Sequence, residues 1–336
     1  MNEVEKIEKE LQKAREIISE QEKELERLRQ SERALADANI RIAELYEETE
    51  SMYEELVESR SIANLYAELT ELNKKIQEQN GDLLKSLRHA YKIQTAALKD
   101  FNIFGRLFPD SLIYLQPRDI VSGDFYFSTY KDGKIFIAAA DCTGHGVPAA
   151  FTSLLGFFYL HQIINNEGIT DPAEVLTRLH KGICQTFNEE DHIHRDGMDI
   201  ALCAIDKKNK EVRFAGAKRP LVYFSNGEMR EIKGTAKSIG SSDHYFKKHY
   251  ETTVLNLGSD DVAENSVFYI FSDGFPDLYG GTERGKYGIK RFRELLNEIH
   301  QDTFVLQKDL IRNEFYHWKK DNNAADDVLV IGFRVF

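Results

Sequence analysis

The chain has 336 residues and a formal net charge of −12. That length allows two domains, or one large domain with an extension. The acidic balance argues against a protein that grips nucleic acid through a basic surface.

The three cysteines, Cys142, Cys184 and Cys203, lie far apart, with no CxxC pair and no zinc-ligand spacing. They are expected to be reduced and buried in a cytoplasmic protein. The opening MNEVEKIEKE has no apolar core and does not read as a signal peptide. The longest apolar region, 149–164, contains His161 and Gln162 and reads as too short to span a bilayer. No membrane span is expected, although a membrane partner stays open.

Residues 1–90 read as a coiled-coil helix. No proline precedes Pro109, and Gly81 is the only glycine before Gly105. Val4, Ile7, Leu11, Ala14, Ile18, Gln21, Leu25 and Leu28 follow alternating steps of three and four. Leu35, Ile42, Thr49, Leu56 and Ala63 continue a seven-residue step, and Ile62, Leu65, Leu69, Leu72, Ile76, Leu83, Leu87 and Ala90 run in a shifted frame. This pattern predicts a long heptad helix with a stutter near 34–39 or 59–62. Such a helix would extend roughly 150 Å at 1.5 Å per residue. A second chain is needed to cover its apolar seam, so a homodimer is expected, with parallel strands if the C-terminal domains work as a pair. The alternative is a lone charged helix. Residues 91–108 form the junction: a helical pattern up to Leu98, then Phe101, Phe104 and Phe108, expected to pack on the following domain. It acts either as a switch helix or as a rigid tether.

From residue 109 the texture changes to short strands and turns. Strands are predicted over 111–116, 125–130, 134–140, 199–206, 211–215, 221–225, 228–232, 251–257, 266–272 and 328–335. Helices are predicted over 147–166, 172–187, 287–299 and 304–320. Asp132-Gly133 and Asn226-Gly227 are hairpin turns. Asp171 is the expected N-cap of the second of these helices, and Pro148 sits just inside the first turn of the one before it. Hairpin-linked strands with helices in separate blocks argue for an α+β domain over 109–336 with antiparallel sheets.

Asp124 opens one strand of the first hairpin and Asp141 closes the other, so folding brings both carboxylates to the same end. Like charges so close repel unless a cation lies between them or one takes a proton. Two further motifs repeat the form: Asp273 after the apolar run FYIFS, and Asp326-Asp327 before VLVI. Each alone reads equally well as an aspartate flanking a turn. Together they describe an oxygen-ligand box for two hard cations, a site type that activates water and clamps a phosphoryl group. Arg118 is the cationic candidate for the substrate phosphate, or else a surface arginine. His145 is an acid or phosphate contact, or else a helix-capping turn residue; His192 and His194 could bind metal adventitiously and read as part of a solvated loop. No GxSxG elbow and no phosphate-binding P-loop are present.

Five motifs in order, QPRDIVSGDFY (116–126), DCTGHGVPAA (141–150), DGMDIAL (196–202), SDGFPD (272–277) and DDVLVI (326–331), resemble the metal-dependent protein phosphatases of the PPM (type 2C-like) superfamily, in its sporulation stage II protein E-like branch. The resemblance covers about 109–336, and the junction from Tyr91 is also similar. It implies an αββα sandwich of two antiparallel sheets with two Mn²⁺ or Mg²⁺ at one edge. Carried over by motif, Asp141 would bridge both metals and the Cys142 backbone carbonyl would reach the second, at a position where many relatives have glycine. Asp273 and Asp326 would hold the first, with Asp327 as the alternative register. Asp124 would act through coordinated water, and Asp199 or Asp196 would serve a third metal. The implied reaction is hydrolysis of phosphoserine or phosphothreonine by metal-activated water. The implied substrate is a phosphorylated regulator, such as an anti-sigma factor antagonist. The rival expectation is a catalytically silent coiled-coil adaptor, and a further enzyme reading is a hydrolase of small phosphoesters.

Overall fold

The heptad region is one unbroken helix, α1 (Glu3–Lys99), which runs straight through both positions where the apolar frame shifts. The structure is a computed structural model and describes residues 3–99, 104–187, 197–240, 249–281, 285–320, 322 and 324–336. The chain divides into two units, Met1–Gly81 and Asp82–Phe336. In the first, the seam residues Val4, Leu11, Leu25, Leu56 and Leu72 are all exposed.

The second unit takes in the last turns of α1 and then α2 (Phe104–Leu107), β1 (Ser111–Gln116), β2 (Phe125–Lys131), β3 (Lys134–Cys142) and α3 (Val147–His161), which ends in a π turn (Gln162–Asn166). There follow α4 (Pro172–Thr186), β4 (Met198–Asp206), β5 (Glu211–Ala217), β6 (Leu221–Ser225), β7 (Glu228–Ile232), β8 (Thr253–Asn256) and β9 (Val267–Phe271). The chain closes with β10 (Tyr279–Gly280), β11 (Gly285–Lys286), α5 (Ile289–Ile299), α6 (Phe304–Lys319) and β12 (Val328–Arg334). One sheet has the order β1-β12-β9-β6-β7 and the other β2-β3-β4-β5-β8. Every pairing in both is antiparallel. Asp132 and Gly133 both take positive φ, 50° and 80°, which gives the β2–β3 turn the twist its strands need. Asp171 caps α4 by accepting from the Ala173 and Glu174 amides.

Side-chain alternation sorts the central strands into layers. Phe136, Ala138, Ala140 and Cys142 of β3 face a core shared with Phe157 and Leu160 of α3 and Leu176 and Leu179 of α4. Their neighbours Ile135, Ile137 and Ala139 face the opposite way, against Phe268, Ile270, Leu329 and Ile331 of the other sheet. The far side of that sheet packs Tyr269, Phe271, Val328 and Val330 against Phe292 and Leu296 of α5 and Ile311 and Phe315 of α6. Strands buried on both faces read as continuous apolar runs, as β3 and β12 do. The result is an α+β sandwich, helices outside and two sheets within, as expected. Phe104 and Phe108 of the junction are buried in the inter-sheet layer; Phe101 lies outside the described residues. Against the sequence expectation, the helical run 147–166 is long and apolar enough to cross a membrane by length and composition. Its Phe157, Leu160, Ile163 and Ile164 are buried in the core under the sheet.

Candidate metal centre

Strand register gathers the acidic residues. Phe125 pairs with Ala140, which sets Asp124 beside Asp141. Asp141 in turn pairs with Asp199 across β3 and β4. By alternation Asp141 and Asp199 share the inter-sheet face with Ala139 and Ala201. From the other sheet, Asp273 follows the end of β9 and Asp326-Asp327 precede β12, two strands that are themselves paired. Gly274 fixes that crossing: a Cβ there would lie 1.8 Å from the Asp327 carbonyl oxygen, so only glycine fits.

Burial sets the electrostatics. Asp124 is 2% exposed, and its Oδ2 is buried with no hydrogen-bond partner among the described residues. Burial, then the neighbouring Asp141, push its carboxyl well above the ordinary carboxylate range; a hydrogen bond from Ser272 opposes them. Burial also pushes Asp141 up to about 8, with the Arg219 guanidinium opposing and Asp273 adding to the rise. Asp326 is raised as well, chiefly by burial, while the Asp327 N–H holds it down in part. These carboxylates are therefore costly to keep ionised without a cation.

Two cations of the β5–β6 connection reach this cluster: Lys218, whose Nζ lies 3.7 Å from Asp199 Oδ1, and Arg219, which goes deeper. Its Nη2 donates to Asp141 Oδ2 at 2.7 Å and to Asp273 Oδ2 at 2.6 Å, and lies 3.4 Å from Asp199 Oδ2. The sequence reading missed this residue, because its neighbours follow only from the strand register: Ile200 pairs with Ala217, which brings Lys218 opposite Asp199 and Arg219 one residue beyond.

The paired aspartates at 326 and 327 have different surroundings. Asp327 is buried and its two oxygens accept from the Arg118 N–H at 2.7 Å and the Gly123 N–H at 2.6 Å. Asp326 Oδ1 accepts from the Asp327 N–H at 2.9 Å. The Arg118 guanidinium donates to the Ala325 carbonyl at 3.0 Å and so braces the same loop. Asp199 Oδ1 accepts from Ser238 Oγ at 2.5 Å. The Cys142 carbonyl oxygen would lie 3.4 Å from a Cβ on Gly123, close to the Asp124 segment. His145 is exposed, 3.6 Å from Asp119, and caps no helix by its side chain. Asp196, His192 and His194 lie outside the described residues.

The segment leading to Asp124 is held from behind by the last turns of α1. Gln94 is buried and donates through Nε2 to the Ser122 carbonyl at 2.6 Å and to Ser153 Oγ at 2.9 Å. Nothing in the heptad pattern marks this glutamine.

Among the described residues, no three His, Cys, Asp or Glu side chains close around an ion as they stand. The donor chemistry nonetheless fits a hard divalent cation: oxygen atoms only, buried carboxylates, and an orphaned Asp124 Oδ2.

A family profile described as Stage II sporulation protein E (SpoIIE) matches residues 131–336. No curated protein sequence matches the chain. Among solved structures, the SiaA-PP2C domain of Pseudomonas aeruginosa is similar at 28% identity and a TM-score of 0.67, over 76% of this chain and 98% of that one. The PP2C phosphatase domain with a fragment of the regulatory domain of SpoIIE from Bacillus subtilis is similar in fold, at 17% identity and a TM-score of 0.53. That match covers 67% of this chain and 62% of the other.

Proposed function

The chain belongs to the stage II sporulation protein E family, and we propose that residues 109–336 act as a metal-dependent protein serine/threonine phosphatase, governed by the helix that precedes them. The observation that carries this reading is the meeting of Asp124, Asp141, Asp273 and Asp326 at one edge of the sandwich, in a domain with the fold of PP2C phosphatases.

Asp141, Asp273 and Asp326, with the Cys142 carbonyl, are the residues that would hold two Mn²⁺ or Mg²⁺, and Asp199 is the candidate for a weaker third. Bound there, the ions would supply a water of lowered pKa and neutralise charge on the phosphoryl oxygens. Asp124 would act through coordinated water, for which its buried Oδ2, without a partner among the described residues, is the available acceptor. Asp327 serves the backbone, because both of its oxygens are taken by N–H groups; this favours Asp326 as the ligand. Arg118 is tied to Ala325 and shapes the loop at the rim, where it is the candidate contact for the substrate phosphate.

The substrate is a phosphoserine or phosphothreonine on a regulatory protein, and the protein works in the cytoplasm as a homodimer. An apolar seam exposed along α1 supports dimerisation through residues 1–90. The Gln94 contacts support regulation, since a rotation of the junction helix would pull on the Ser122 carbonyl two residues from Asp124. The deciding experiment measures turnover of a phosphoserine peptide by the full chain with and without Mn²⁺, beside Asp141→Ala. Mn²⁺-dependent turnover lost in the variant is the expected result. Equal turnover by the variant would remove the metal assignment, and no turnover by folded, metal-bound protein would favour an adaptor.

A further inference from the structure

Arg219 stands among the carboxylates proposed to bind metal, and its main chain is fixed beside them. Lys218 has a positive φ of 57° and donates its N–H to the Thr235 carbonyl at 2.7 Å. Arg219 itself donates its N–H to the Ala217 carbonyl at 2.7 Å. A Cβ on Gly216 would lie 2.2 Å from the Arg219 carbonyl oxygen, and one on Gly234 2.6 Å from it, so two glycines are needed for the chain to pass here. The guanidinium is only 14% exposed, and its Nε is buried without a partner among the described residues. An arginine held this way is built into the site.

A single nitrogen, Nη2, touches Asp141 Oδ2 and Asp273 Oδ2 together. A divalent ion held by the same two aspartates would draw on the same two carboxylates. It would also bring two positive charges to contact distance from a guanidinium that is always protonated. In a buried site such repulsion is poorly screened. The two cations therefore exclude one another at this pair of carboxylates.

The geometry points to Arg219 as an internal competitor for the metal seat: a resident cation that occupies Asp141 and Asp273 and must give way before a divalent ion can take them. This rests on the metal-centre reading above. It sets a threshold on metal loading, since the protein binds an ion only by as much as the ion outbids the arginine.

The test titrates Mn²⁺ calorimetrically into metal-stripped full-length protein and into Arg219→Gln, with thermal denaturation of both in chelator and in Mn²⁺. Competition predicts that the glutamine variant binds Mn²⁺ roughly tenfold or more tightly. It also predicts that the variant melts lower than wild type in chelator and recovers when Mn²⁺ is added. Arg219→Lys, which keeps the charge but not the fork, should fall between the two in affinity, and it serves if the glutamine variant fails to fold. Equal or weaker Mn²⁺ binding by both variants, with wild type binding normally, overturns the competition and leaves the metal centre standing. No Mn²⁺ binding by any of the three overturns both.

Discussion

Gln94 and Ser122 exchange two hydrogen bonds: the glutamine amide donates to the Ser122 carbonyl at 2.6 Å and accepts from the Ser122 N–H at 3.3 Å. A side chain thus pairs with backbone as a neighbouring strand would. Ser122 Oγ passes the contact on by donating to the Asp124 carbonyl at 2.9 Å. The last turns of α1 are therefore tied to the main chain that positions a candidate metal residue.

Replacing Gln94 by alanine should strand the buried Ser122 N–H, at about 1–3 kcal/mol for an unsatisfied buried group, and leave the Ser122 carbonyl only the longer contact from Ser153 Oγ at 3.4 Å. For a domain of this size that corresponds to a fall in Tm of several degrees, about 2–4 °C per kcal/mol. Turnover should change by more than stability does, because the segment set loose leads into Asp124. Thermal denaturation beside phosphopeptide kinetics checks this. A normal rate in a destabilised Gln94→Ala protein would make the contact a structural tether and nothing more.

Asp326→Asn and Asp327→Asn should part company. Asp327 holds the Arg118 and Gly123 amides, and hydrogen bonds to a charged group contribute about 1.5–3 kcal/mol. Its asparagine variant must turn an NH₂ toward one of those donors, so it should lose stability even with metal removed. Asp326→Asn should melt near wild type and lose Mn²⁺ affinity and turnover. Calorimetric Mn²⁺ titration and melting curves on both variants settle the pair; the reverse pattern would exchange their assignments.

The sandwich was legible because each central strand carries an apolar run and the turns carry Asp-Gly or Asn-Gly. Ser111–Gln116, Leu221–Ser225 and Glu228–Ile232 fall where the pattern puts them. Predicted ends strayed where sheet pairing outlasts the apolar signal. β3 extends to Cys142 because Asp141 and Cys142 still pair with Asp199 and Met198. Four acidic positions were visible because carboxylates at strand ends are conspicuous. Arg219 and Gln94 were not seen, for different reasons. Arg219 needs the β4–β5 register before its neighbour Asp199 is known. Gln94 bonds to residues 28 and 59 positions away, one partner being main chain, which no local pattern encodes.

The exposed seam of α1 makes oligomeric state testable. Val4, Leu11, Leu25 and Leu56 keep one heptad frame, and Leu72 continues the seam in the shifted frame. The full chain is expected to sediment as a dimer, and a chain beginning at Asp82 as a monomer or a weaker dimer. A monomeric full-length protein at micromolar concentration would leave the seam to some other partner.

Stability against pH gives a check that needs no substrate. In the folded protein burial lifts Asp141 from an ordinary 3.8 to about 8, and Asp124 is raised too. Between those limits the folded state keeps protons that the unfolded chain has released, so stability falls as pH rises. The contribution is fully present below about pH 4 and gone above about pH 8. At 1.36 kcal/mol per unit, roughly 6 kcal/mol is its upper limit for Asp141. In chelator, wild type should therefore lose more stability than Asp141→Asn between pH 5 and pH 8. Mn²⁺, which competes with protons for the same oxygens, should restore wild type most at the higher pH. Parallel curves for the two proteins in chelator would mean that Asp141 is already ionised at pH 5, with the Arg219 guanidinium alone sufficient to hold its charge.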